Sequence, residues 1–275
     1  MTDVPIAAVA RLSALRLVSF IPPARDAVRV GLLSLDATQV VDLAPFGITD
    51  ALEALAQLDM LRRAAGAIVH GATRTAFAID AVHLVAPIPL ARSVVAAPGA
   101  DVPYFADPTT LHGPGSHLTR PDAEAAQGGL AAVVGVTIEA RTDVTEAMLD
   151  EALVGTLVVL GWPQAGHGHA TVLVPGAAGP FAAVPRRSPE SILLRRVAPL
   201  GAGAIPDHTI SVVAPDRQAF HALARRALRS HTLRPGDLLA IFPTVPNHSD
   251  RPPMSAGSWV RVSAPGLGTL SLAVS

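Results

Sequence analysis

The sequence predicts an α+β fold in which strands outnumber helices. Three observations carry this reading. Short apolar runs recur along the chain and are punctuated by 22 glycines and 25 prolines. Few stretches carry a helical period. Those few do not alternate with the strands as a doubly wound parallel sheet requires.

Taken in order, Arg16-Leu17-Val18-Ser19-Phe20, Val28-Arg29-Val30-Gly31-Leu32-Leu33 and Gln39-Val40-Val41-Asp42-Leu43 are β-prone runs, parted by turns at Pro22-Pro23 and Asp36-Ala37. The period then changes. Leu52, Leu55, Leu58, Met60 and Leu61 form a helical stripe over residues 50–66, with Thr49 or Asp50 as its cap. A second short helix or irregular segment reaches Ala81, before Val82-His83-Leu84-Val85. Pro87 and Pro89 interrupt regular structure and place a domain boundary there, dividing the chain into a small N-terminal α+β domain (1–85) and a β-rich core domain (86–275). In the second part, strands are expected at 130–136, 153–160, 171–174, 210–213, 238–242 and 259–262. Helices are expected at 146–153 and 217–230. The latter buries Phe220, Leu223, Ala224, Ala227 and Leu228 and leaves Arg217, Arg225, Arg226 and Arg229 solvated. His221 and His231 receive no role.

Composition removes several function classes. Half of the residues are hydrophobic, 16% are charged, and mean hydropathy is +0.41, which excludes a mainly disordered chain. A net charge of -1 supplies no field to hold nucleic acid or an anionic membrane. The chain has no cysteine, so disulfides, thiolate metal sites and cysteine nucleophiles are excluded. It also has no lysine, which excludes Schiff-base chemistry and a phosphate-loop lysine. The N-terminus lacks early basic residues and Arg11 interrupts its first apolar stretch, a poor fit to a signal peptide. The apolar runs 128–138 and 152–162 are too short to span a bilayer. A cytoplasmic protein with no membrane or nucleic-acid partner is expected.

Several phrases, in order, resemble the fumarylacetoacetate hydrolase superfamily. The three N-terminal runs are similar to its N-terminal domain, and Leu84-Val85-Ala86-Pro87-Ile88-Pro89 to the phrase that opens its core. Phe105-Ala106-Asp107-Pro108-Thr109-Thr110-Leu111-His112-Gly113-Pro114-Gly115 follows its Phe-x-Lys-Pro…Leu-x-Gly-Pro-Gly segment. Leu130-Ala131-Ala132-Val133-Val134-Gly135 resembles its central strand. Leu233-Arg234-Pro235-Gly236-Asp237 and Gly266-Leu267-Gly268-Thr269-Leu270 resemble its closing turns. The resemblance implies a β-rich roll or barrel, a homodimer, and a Mg²⁺ or Mn²⁺ held by three carboxylates to polarise keto-acid or β-dicarbonyl substrates.

This chain departs from the pattern where the resemblance implies chemistry. The implied Glu-x-Glu pair falls on Gln127 and Gly129, and the third carboxylate falls near Gly161. The implied arginine falls near Ala165, the first lysine on Asp107, and the later lysine near His169 or Ala170. The implied lid is deleted, because residues 95–103 run almost directly into Tyr104-Phe105. Thr-Gly-Thr-Pro of the substrate loop becomes Ile241-Phe242-Pro243-Thr244. An amide and two glycines cannot assemble an anionic oxygen cage, so neither a metal nor another cofactor is expected.

The remaining polar residues supply the candidates. His167 and His169 point the same way on a strand and can contact a metal or act as acid and base; exposed loop histidines are the alternative. Asp107, near His112 and His117, is a candidate base in a pocket without a cation, or the start of a turn. Tyr104 can donate to a carbonyl or simply pack. Phe105, Trp162 and Phe242 are expected either to line the vacated mouth or to fill a sheet core. Gln127 and Gln164 are neutral donors or solvated turn residues, and Thr244 joins His112 among the expected substrate contacts. With glycine at 129 and 161, the cavity is expected to stay open.

Three functions follow as expectations. The first is a repurposed, metal-independent enzyme that cyclises, rearranges or cleaves a β-dicarbonyl or enol compound of the kind found in specialised metabolism. The second is a non-catalytic relative acting as a ligand-binding or structural partner subunit. The third is a residual keto-acid hydrolase or decarboxylase.

Overall fold

The computed structural model describes residues 16–23, 26–34, 36–71, 75–86, 88, 93–98, 104–106, 113, 127–163, 171–175, 181–182, 191–197, 208–243, 257–265 and 267–273. The first strands form an antiparallel meander: β1 (Arg16–Ile21), β2 (Arg29–Leu33), β3 (Gln39–Asp42) and β4 (Ala76–Ala78). The edge of β1 opposite β2 takes β5 (His83–Val85). A hairpin of β6 (Val94–Pro98) and β7 (Tyr104–Ala106) follows, then β8 (Gln127–Val134) against the long β9 (Leu153–Pro163). Strand β10 (Thr171–Pro175) pairs with β9, and β11 (Phe181–Ala182) bridges β9 to β1. The remaining strands are β12 (Ser191–Val197), β13 (His208–Val213), β14 (Leu238–Phe242), β15 (Trp259–Ala264) and β16 (Gly268–Ala273).

The large sheet runs β4-β3-β2-β1-β11-β9-β8-β14-β6-β7, and a smaller sheet runs β13-β12-β15-β16. Among the described strands, β6 and β14 form the one parallel pair. The strands expected from sequence are present, although β8 starts earlier, at Gln127, and β9 runs on to Pro163. Strand β12 escaped the sequence reading because its outward Leu193 is 40% exposed and hides the alternation of buried Ile192 and Leu194.

The expected helix over 50–66 is two helices, α1 (Ala51–Ala56) and α2 (Leu58–Gly71), parted at Gln57. Asp50 is the cap, accepting from the Glu53 N–H at 2.9 Å, while Glu53 accepts from the Thr49 N–H at 2.6 Å. Leu55, Leu58 and Leu61 are buried, but Met60 is exposed, since it stands two positions from Leu58 and so on the opposite side of the helix. Their cluster includes Val94, Ala131, Leu157 and Phe242, so one core runs across the residue-85 division.

The central strands carry two different faces. Ala131, Val133, Leu157, Val159, Leu238, Ala240 and Phe242 pack toward the N-terminal helices. Leu130, Ala132, Val158, Leu160, Leu239 and Ile241 pack toward the smaller sheet and toward α3 (Glu146–Ala152) and α4 (Arg217–Leu228). The start of β14 is held by a turn over Arg234-Pro235-Gly236-Asp237. Gly236 has φ +90°, and the Asp237 N–H donates to the Arg234 carbonyl at 3.0 Å, as a type II turn requires. The buried Asp237 carboxylate accepts from the Ser93 N–H at 2.9 Å and the Arg234 N–H at 2.8 Å, fastening β14 beside β6.

Helix α4 buries the five apolar residues expected, and Asp216 caps it by accepting from the Ala219 N–H at 2.8 Å. His221, which received no role from sequence, lies inside this helix on its buried side. Its Nε2 stands 3.1 Å from Asp150 of α3, which also pairs with Arg217. Burial pushes the His221 imidazole below its ordinary pKa; Arg217 and Arg225 push the same way, while Asp150 and Glu146 oppose them. The unfolded chain therefore takes up this proton more readily than the folded one, and stability is lost as pH falls below about 6.5. Between pH 7 and pH 5 the Tm is expected to fall, and His221→Gln is expected to flatten that fall. An unchanged pH slope in the variant would show that the helix pair does not depend on a neutral His221.

Candidate functional site

The register of β8 and β9 brings together the positions where the resemblance implies carboxylates. Gln127 stands opposite Gly161, and Gly129 opposite Val159. Residues 127, 129 and 161 share the sheet face that carries Ala131, Leu157 and Val159, because side chains alternate along each strand. Gln127 is half-buried at the start of β8, and both glycines are buried.

Gly129 is where this face closes. A Cβ placed on it would stand 2.4 Å from the Ile241 carbonyl oxygen and 2.8 Å from Cδ1 of Phe242. Both separations are inside van der Waals contact, so no side chain fits without moving β14. Phe242 is 2% exposed and belongs to the core cluster on this face. The expectation of an open cavity at Gly129 is therefore corrected: its missing side chain admits the β14 main chain and an aromatic ring. Phe242 itself fills this wall and does not line an open mouth.

The resemblance implies a carboxylate at 129 and a glycine at 242, and this chain has glycine at 129 and phenylalanine at 242. A hard cation needs several oxygen ligands, whereas positions 127, 129 and 161 offer one neutral amide. The residues present do not fit a Mg²⁺ or Mn²⁺ here. Among the described residues, no group of three or more His, Asp or Glu is disposed to hold a metal ion elsewhere.

Phe105 is also corrected. It pairs with Val95 of β6, which pairs with Leu239 of β14, and both belong to the cluster on the opposite face from Phe242. It is 54% exposed, and its ring meets the His231 ring at a centroid distance of 5.0 Å and a tilt of 60°. Phe105 and Phe242 therefore do not line one mouth. Tyr104 stands opposite Ala96 in β7, and Trp162 opposite Val172 in β9, by main-chain register. Asp107, His112, His117, Gln164, His167, His169 and Thr244 lie outside the described residues. His221 was the polar residue that sequence reasoning passed over. Its signal was present in its spacing, since 221, 224 and 228 fall on one helix face.

No family model matches the sequence, and no curated protein matches it significantly. Solved structures do match. Maleylpyruvate hydrolase from Sphingobium sp. SYK-6 superposes with a TM-score of 0.69 at 16% identity, over 94% of this chain and 99% of that one. The same enzyme is also known in complex with manganese(II) and pyruvate, again with a TM-score of 0.69. A 2-hydroxyhepta-2,4-diene-1,7-dioate isomerase from Mycobacterium marinum superposes with a TM-score of 0.63 at 22% identity, over 95% of this chain and 98% of that one.

The contact at Gly129 has a direct test in urea denaturation. Gly129→Ala is expected to cost about 1–3 kcal/mol through overpacking. Phe242→Leu should recover part of that cost, making the double variant more stable than the sum of the single changes. Strict additivity would show that the two positions do not compete for one space.

Proposed function

From a chain that has the fumarylacetoacetate hydrolase fold over nearly its whole length, we propose a metal-independent member of that superfamily which binds a small β-dicarbonyl or enol compound. The observation that carries this reading is the contact of Gly129 with the Ile241 carbonyl oxygen and the Phe242 ring, which leaves no room for a carboxylate side chain at 129. The substrate class is supported by the neighbours, one described with pyruvate and another as a dienedioate isomerase.

The chemistry proposed is proton transfer at the carbon beside a carbonyl. A base removes the C–H proton, the charge moves to the carbonyl oxygen, and the same proton is returned to that oxygen or to a conjugated carbon, so that the enol or the shifted double bond forms with no other bond broken. Gln127 is the neutral group on the described face that can donate to that oxygen, in place of a cation. Asp107, His167 and His169 are the proposed acid and base residues.

A second reading has one observation in its favour. Burial of Phe242 makes this wall apolar, which suits a non-catalytic ligand-binding or structural subunit. Enol–keto absorbance changes of oxaloacetate and acylpyruvates, followed with Mn²⁺ and with EDTA, separate the readings. Turnover equal under both conditions is expected. Turnover that appears only with Mn²⁺ would overturn the proposal in favour of a residual hydrolase or decarboxylase. Ligand-induced stabilisation without turnover would favour the non-catalytic subunit.

The assembly proposed is a homodimer. The outer face of the smaller sheet supports it by leaving Leu193 and Trp259 40% and 43% exposed. Light scattering is expected to give twice the chain mass of 28.2 kDa, and a monomer would contradict it.

A further inference from the structure

At the start of α1, the structure has a pocket of about 200 Å³ shared with Ser19 of β1, the head of β2 and Ile88. Leu52 and Ile88 form its apolar floor, and Ala51 and Val28 also line it. Gly236, in the turn that starts β14, closes that floor from behind. A Cβ placed on it would stand 2.7 Å from Cδ2 of Leu52 and 3.4 Å from Cγ2 of Ile88. Arg29 and Asp50 complete the lining. They differ in how their charges are met. The buried Asp42 carboxylate takes the Arg29 guanidinium at 2.5 Å. The exposed Asp50 carboxylate accepts the Glu53 N–H at 2.9 Å, its capping bond, and no cation pairs with it among the described residues.

We propose that this pocket binds a small primary amine in its ammonium form, its apolar body on Leu52, Ile88 and Val28 and its charge on the Asp50 carboxylate. Charge complementarity decides the sign of the ligand. The Arg29–Asp42 pair is neutral as a unit, which leaves the Asp50 charge unbalanced. Glu53 adds to it from the first turn of the same helix. The Thr49 N–H and hydroxyl hold the Glu53 carboxyl below the usual carboxylate range, and neither donor carries a charge. This field repels an anion and meets an ammonium with a charge-assisted hydrogen bond. Size decides the rest. The volume lies below the ~300–1,000 Å³ of drug-sized pockets, so the ligand is small. A stable protein partner buries roughly 800 Å² on each side, far more than a pocket of this size presents.

The site is independent of the function proposed above. Its lining includes none of Gln127, Gly129, Gly161 and Phe242. A ligand here does not touch Gln127, so either idea can fail alone.

Isoamylamine is the probe, with isoamyl alcohol and isocaproate as neutral and anionic controls, in ligand-observed NMR titrations of the whole chain near neutral pH. Isoamylamine should bind, isoamyl alcohol should bind more weakly, and isocaproate should not bind. Asp50→Asn should weaken isoamylamine roughly fivefold, the scale of one exposed charge contact, while leaving isoamyl alcohol unchanged. Asparagine caps a helix as well as aspartate does, so α1 keeps its start in this variant. Val28→Trp should abolish binding of both, because Val28 lines the pocket and a larger side chain fills it. Both positions are exposed, so circular dichroism should report an unchanged fold. Isoamyl alcohol or isocaproate binding as tightly as isoamylamine, or an undiminished affinity in Asp50→Asn, would overturn the role of Asp50. Amine binding that survives Val28→Trp, or is absent from the unmodified protein, would overturn the site.

Discussion

The close approach of β14 to β8 at Gly129 is the constraint on which the arrangement depends. A main-chain carbonyl can enter that space because residue 129 has no side chain. Once it has entered, Phe242 lies over the same glycine and joins the core shared with the N-terminal helices. The consequence is chemical as well as steric. Residue 129 belongs to an apolar wall in which no carboxylate side chain fits.

Residues Ile241 and Phe242 join the two faces of the large sheet. Alternation along β14 sends the Phe242 ring to one face and the Ile241 side chain to the other. The buried Asp237 carboxylate fixes where that alternation starts, because it bonds main-chain N–H groups at the heads of both β14 and β6. Parallel pairing of β6 and β14 then carries Ala97 beside Ile241. Helix α4 covers this side, held to α3 through Asp150, His221 and Arg217.

Much of this was legible from short-range pattern. The meander over residues 16–42, the cap at Asp50 and the buried stripe of α4 follow from alternation, capping chemistry and helical period. Short or atypical strands were not legible. Strand β7 has three residues, and β12 presents an outward leucine, so neither carries a clean period. The role of His221 was hidden because its partner, Asp150, lies 71 positions away in sequence.

For the site, the sequence by itself determined the chemical inventory. Neither cysteine nor lysine is present, and an amide and two glycines occupy the places where resemblance implies carboxylates. Those are statements of composition and order, which need no coordinates. What replaced the lost side chains was decided by tertiary structure. Glycine at 129 is compatible with an empty cavity or with a neighbouring strand moving in, and nothing local distinguishes them. The β8–β14 register distinguishes them by laying Ile241 and Phe242 against Gly129, and strand alternation then separates Phe105 from Phe242. Identity is written along the chain, but occupancy of space depends on which distant segments meet, and packing at close range leaves room for only one of them.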